Sequence, residues 1–110
     1  MNDQKIVVYY HPNPELRSFL TRDEICAPRV EYFRRPLTEE SDQTLTQLGI
    51  LGAQIVKAIM LIPGVREIRI KPKEVQVRKE TAVSWEDIQD KIIEILRQSL
   101  RRKQIRIVKG

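Results

Sequence analysis

The run Ile62-Pro-Gly-Val-Arg-Glu-Ile-Arg-Ile-Lys-Pro-Lys-Glu-Val-Gln-Val-Arg-Lys79 leaves this chain few ways to fold. Pro63 blocks helix continuation and Gly64 permits a tight turn, so a helix must end there. From Val65 to Ile70 the side chains alternate. Ile68 and Ile70 share one face, and Glu67, Arg69 and Lys71 share the other. Pro72-Lys73 suits a turn. Val75 and Val77 then return beside Ile68 and Ile70, with Glu74, Gln76 and Arg78 outward. Such paired alternation specifies two antiparallel strands with one apolar face, and that face needs a cover.

Ser84 opens the cover. It suits an N-cap, and Asp87 three residues on completes an acidic capping box. Glu86 and Asp87 favour the positive end of a helix, and Arg97, Arg101 and Arg102 the negative end. Trp85, Ile88, Ile92, Ile95, Leu96 and Ser99 mark one side at helical spacing; Trp85 fits a core plug better than a ligand platform. A second helix precedes Pro63. Leu45, Leu48, Ile55, Ile59 and Ile62 recur at helical intervals, with Thr38 or Ser41 as cap. Gly49 and Gly52 weaken its start, so its firm part is about 52–62. Val56, Met60 and Leu61 make this helix apolar on more than one face. Core packing is the favoured use, a partner surface the other.

Elsewhere the signals are shorter. Residues 5–10 suit a strand, and two prolines in His11-Pro-Asn-Pro14 must end it. Residues 15–29 stay ambiguous, with Phe19, Leu20 and Ile25 as core anchors. Val30–Phe33 suits another strand, and Gln104–Val108 a final one with Ile105 and Ile107 inward. The expected fold is α+β, a two-layer sandwich: an antiparallel sheet of four to five strands with two helices on one face. Residues 1–110 are expected to be one domain, with 97–110 a basic C-terminal extension that includes a strand.

Charge narrows the possible functions. Residues 97–110 hold six basic side chains and no acid, while the first 96 hold 14 basic and 15 acidic. The formal +5 therefore comes from the tail, which suits nucleic acid, an acidic partner or a solvated helix end. Solvation is the favoured reading. No apolar run approaches a membrane span, and no secretory core follows Met1, so cytoplasmic residence without a membrane partner is expected. Cys26 is the single cysteine. It cannot form an internal disulfide, and no Cys or His spacing suits a metal site within one chain. No cofactor or metal is expected, although one thiol per subunit could still serve a shared cluster.

Three segments together resemble the N-terminal domain of Nfu-type iron–sulfur scaffold proteins. They are Ile55–Val65, Val75-Gln-Val-Arg-Lys79 and Val83-Ser-Trp-Glu-Asp-Ile88. Upstream, His11-Pro-Asn-Pro-Glu-Leu16 resembles the opening Thr-Pro-Asn-Pro of that family, with histidine for threonine. The resemblance spans about 11–96 and is poor over 17–52. Ala53-Gln54 replaces a helix-opening Ser-Pro, and the basic extension after 96 is a further departure. The resemblance implies a two-layer fold with an antiparallel sheet and a role in partner recognition. In that family the cluster-binding Cys-x-x-Cys lies in a separate C-terminal domain, which this sequence does not contain.

The leading expectation is therefore a non-catalytic protein-binding or adaptor module, with an iron–sulfur assembly factor or client as partner. Its candidate contacts are His11, Asn13, Lys57, Met60 and Leu61. The alternative is nucleic-acid binding through Arg69, Arg78, Arg101, Arg102, Lys103 and Arg106, with Arg69, Arg78 and Arg106 on an uncovered sheet face. No stacking ladder is evident to support it. An enzyme would need His11 as base beside Cys26 or Asp23, and no spacing supports that assembly. Homo-oligomerisation is left open by the sequence.

Overall fold

A computed structural model describes the backbone of residues 5–108 and the side chains of residues 5–101. Five strands form one antiparallel sheet: β1 (Val7–Tyr10), β2 (Leu16–Leu20), β3 (Glu31–Arg34), β4 (Val65–Lys71) and β5 (Glu74–Lys79). Their spatial order is β1-β2-β5-β4-β3. Three helices complete the fold: α1 (Glu39–Leu48), α2 (Ile50–Met60) and α3 (Gln89–Val108). No helix among the described residues is long and apolar enough to cross a membrane.

The β4–β5 hairpin follows its alternation. Ile68 pairs with Val77 and Ile70 with Val75, and all four are fully buried. Phe33 on β3 and Phe19 on β2 extend the same apolar face across the sheet. Leu45 and Leu48 of α1, Ile55, Val56 and Ile59 of α2, and Ile92, Leu96 and Leu100 of α3 close over it in one cluster. Each fully buried side chain of this size contributes about 1.5–3 kcal/mol.

Where two helices were expected, three form, because Gly49 splits the first. It adopts φ +93, which ends α1 and reorients the chain into α2. Thr38 is the N-cap of α1, and the Ser41 hydroxyl accepts its backbone N–H at 3.2 Å. Gly64 ends the α2 segment at φ +99, where an added Cβ would lie 2.8 Å from Val83 Cγ1. The Ser84 hydroxyl accepts the Glu86 N–H at 3.1 Å, capping a single 3-10 turn (Trp85–Asp87) that leads into α3.

The end of the chain corrects an expectation. Residues 104–108 are the last turn of α3, not a strand. The alternation of Ile105 and Ile107 suggested period two. However, extending an existing helix costs little per residue, and from Gln89 to Val108 no Gly or Pro interrupts it. The side chains of Ile105 and Ile107, placed inward in the sequence reading, lie outside the described ones.

Candidate partner-binding site

The sheet carries helices on one face only. On the other, the pairing registers set Tyr9, Ser18, Gln76, Arg69 and Tyr32 side by side, one from each strand in spatial order. Tyr9 and Tyr32 are half exposed at the two ends of this row. Towards one end of the strands, Arg78 bonds Glu67 at 3.2 Å and Glu15 at 3.3 Å, and Glu67 also meets Arg34 at 3.8 Å. The Thr81 hydroxyl, bonded to Glu15, lowers its carboxyl most; burial opposes this, and Arg78 and Lys79 add to the lowering, so the group lies below its usual range.

Ser18 is the buried member of the row, only 1% exposed. Its hydroxyl donates to Glu74 Oε2 at 2.7 Å, and His11 Nε2 lies 2.8 Å from the Ser18 Oγ itself. A hydroxyl has one proton, so the histidine is the donor to Ser18. That polarity is opposite to an activated serine, whose proton goes to the histidine. Burial pushes the Glu74 carboxyl up, but the Ser18 hydroxyl and Lys71, at 3.3 Å, outweigh it and hold the group below its ordinary value. The Tyr9 ring meets His11 edge-on with centroids 4.8 Å apart.

At the β1 edge, two of the segments noted in the sequence meet. Trp85 is buried, and its Nε1 donates to the Pro14 carbonyl at 2.8 Å. Asn13 Oδ1 accepts the Glu15 N–H at 2.9 Å, so its side chain builds the turn. Arg17 lies with its guanidinium carbon 3.8 Å from the Tyr10 ring centroid and 5.0 Å from that of Trp85, and it donates to Gln89. A groove of about 810 Å³ opens here, lined by His11, Pro12, Arg17, Lys79 and Trp85 among others. Lys79 is nine-tenths buried, and its ammonium donates to the Glu80 carbonyl at 3.2 Å.

A second groove, of about 1040 Å³, lies near the β3 edge between Arg35–Glu39 and the end of α2. Lys57, Met60 and Leu61 line it together. Met60 and Leu45 are mostly buried in its floor, while Leu61 stands 81% exposed at its mouth. Arg35 closes one end by donating to the carbonyls of Met60 and Ile62. The groove continues past Asp42, Leu45 and Lys57 towards Gly49 and Ile50.

The five candidate contacts thus separate: Lys57, Met60 and Leu61 share one groove, His11 borders another, and Asn13 holds a turn. The basic candidates separate as well. Arg69 and Arg78 share the open sheet face, but two carboxylates occupy Arg78. Arg101 is exposed on α3, and the side chains of Arg102, Lys103 and Arg106 lie outside the described ones. Arg106 therefore belongs to α3 and not to the sheet face on which the sequence reading placed it. Residues missed by sequence reasoning are Arg17, Ser18 and Lys79. The aromatic neighbours of Arg17 and the carboxylate partner of Ser18 come from distant segments, and no local pattern marks them.

Cys26 lies away from His11. Its Cβ packs against Gly52 of α2, 2.7 Å from where a Cβ on that glycine would sit, and its thiol donates to the Ala27 carbonyl. Burial, with Glu24 adding, pushes the thiol pKa up, which disfavours the thiolate that metal binding or nucleophilic attack requires. Among the described residues no group of three or more His, Cys, Asp or Glu is placed to hold a metal ion.

A one-sided five-stranded sheet with three covering helices defines a small two-layer α+β fold. The family model "Scaffold protein Nfu/NifU N terminal" matches residues 6–103, and the chain belongs to that family. In fold it is similar to the NifU-like protein from Saccharomyces cerevisiae, solved by NMR. That match has TM-score 0.69 and 24% identity, covering 93% of this chain and 85% of that one. It is also similar to the crystal structure of protein SAV1430 from Staphylococcus aureus, with TM-score 0.57 and 16% identity, covering 84% of this chain and 98% of that one. The comparison with curated proteins returns no match.

Proposed function

We propose that this chain is a non-catalytic adaptor. It binds a protein of iron–sulfur assembly or delivery, an assembly factor or a client, in the cytoplasm. Membership of the Nfu/NifU N-terminal family supports the setting. The observation that carries the binding role is Leu61, 81% exposed at the mouth of a groove floored by Met60 and Leu45 and flanked by Lys57. A large exposed apolar side chain beside a concave apolar surface is the arrangement through which partner side chains are anchored. His11 and Asn13 are proposed as secondary contacts, on the turn that Trp85 holds.

The test is capture by the immobilised chain from extract of its source cells, with the bound proteins identified and then purified for direct titration. Iron–sulfur assembly factors or clients are expected among them, with affinity falling at least about tenfold for Leu61→Asp. Absence of every such protein, or affinity unchanged in Leu61→Asp, would sink this reading.

A further inference from the structure

We infer that the open face of the sheet binds a short run of single-stranded nucleic acid. This surface lies apart from the groove proposed for a protein partner. Strands are spaced about 4.8 Å apart, so the four steps from Tyr9 to Tyr32 span about 19 Å. Over that width the face offers a ring at each end, 53% and 52% exposed, with Gln76 and Arg69 between them.

The chemistry of the face matches one class of ligand. Its carboxylates are already engaged: Glu74 by Lys71 and Ser18, and Glu67 by Arg78 and Arg34. Arg69 is in none of these ion pairs, although its charge also attracts Glu74, and it is exposed on β4 beside Tyr32. An exposed guanidinium beside one exposed ring, with a second ring at the far edge of the sheet, satisfies both parts of a nucleotide. Bases stack on aromatic faces whatever their identity, and cations hold the phosphates. Gln76, one of whose amide groups meets His11 Nε2 at 3.3 Å, has the other left for base edges. The geometry selects single strands, because a duplex keeps its bases stacked inside and cannot offer them to rings standing on a flat sheet.

The experiment titrates the purified chain with short fluorescent homopolymer RNA, the same sequence in DNA, and duplex RNA, at low and physiological salt. Single strands are expected to bind more tightly than duplex, with affinity falling as salt rises. Tyr9→Ala and Tyr32→Ala should each weaken binding about tenfold or more, and Arg69→Ala should weaken it and flatten the salt dependence. All three sites are exposed, and circular dichroism checks that each variant is folded. Equal binding of RNA and DNA supports reading by stacking and phosphate alone, and preference for RNA supports an added contact to the 2′-hydroxyl. A further variant replaces Arg101, Arg102 and Lys103 by Gln. No binding at low salt overturns the proposal. So does binding that ignores the tyrosine changes, or that is lost only in the α3 variant, which would assign the affinity to the basic helix end.

Discussion

The two faces of the sheet are built from the same five strands and held by different physics. On the covered face, Phe19, Val75, Val77, Ile68, Ile70 and Phe33 are buried in one apolar cluster with the helices. On the open face, the alternate residues of the same strands carry hydrogen bonds, ion pairs and half-exposed rings. Apolar burial is non-directional and large per residue, whereas exposed ion pairs contribute about 0–1 kcal/mol each. The covered face therefore supplies most of the stability. The open face is correspondingly free to change its side chains without loss of the fold, which is what a recognition surface requires.

The sharpest way to break this comparison is to hollow the covered face. Ile68→Ala should cost about 2–5 kcal/mol in urea unfolding, since Ile68 is fully buried under the helices. An equal loss from any open-face substitution to alanine would contradict the division. Next in size is Gly64→Ala, expected to cost about 1–3 kcal/mol. Alanine is strained at φ +99, and its Cβ would meet Val83. Trp85→Phe keeps a ring in the core but removes the donor to the Pro14 carbonyl, and should cost about 1 kcal/mol. Loss of order confined to the His11–Pro14 turn, seen in amide exchange, would locate that cost.

Ser18→Ala probes the one buried point of the open face, and should also cost about 1 kcal/mol, with a pH signature. The native Glu74 pKa lies below its unfolded value. Its contribution is therefore full above the ordinary glutamate pKa and is lost as pH falls through the lower native value. Stability measured against pH should fall in that acid window for wild type and less steeply for Ser18→Ala. An identical slope in both would show that Lys71 and Arg69 hold the carboxylate without Ser18.

The contrast between the faces was legible in part. From Ile68 to Ile70 and from Val75 to Val77 the alternation of apolar with polar residues shows which side chains turn inward, while a bulge between Val65 and Glu67 interrupts it at the start of β4. Ser84 and the apolar spacing after it likewise mark the start of α3. The strand β2 was not legible, because Leu16-Arg-Ser-Phe-Leu20 inverts the pattern at three positions. Arg17 lies on the helix side, where Tyr10, Trp85 and Gln89 receive it, and Leu16 and Leu20 lie on the open side. Without β2 the row from Tyr9 to Tyr32 is invisible, since it exists only through cross-strand register. The Leu61 groove was half legible: helical spacing exposes an excess of apolar positions on α2, but the opposing wall from Arg35 to Glu39 comes from tertiary packing.

The smallest expected effect on stability is the most discriminating. Arg69 lies on β4, inside the β3 edge of the sheet, paired with Gln76 on one side and Tyr32 on the other, yet its side chain is exposed. If the open face contributes little to folding, Arg69→Ala should change unfolding free energy by no more than about 0.5 kcal/mol, the range of ordinary surface substitutions. Its neighbours in the covered layer, Ile68 and Ile70, differ from it by one position in sequence and by the whole thickness of the sheet in environment. A loss above about 1 kcal/mol for Arg69→Ala would mean that the guanidinium helps hold the sheet together, for instance by attraction to the Glu74 carboxylate. Its presence would then be explained by folding alone. A neutral result leaves the exposed charge with no structural task on a strand whose β-branched inward residues already secure the fold, and that is the condition under which a residue is free to serve binding.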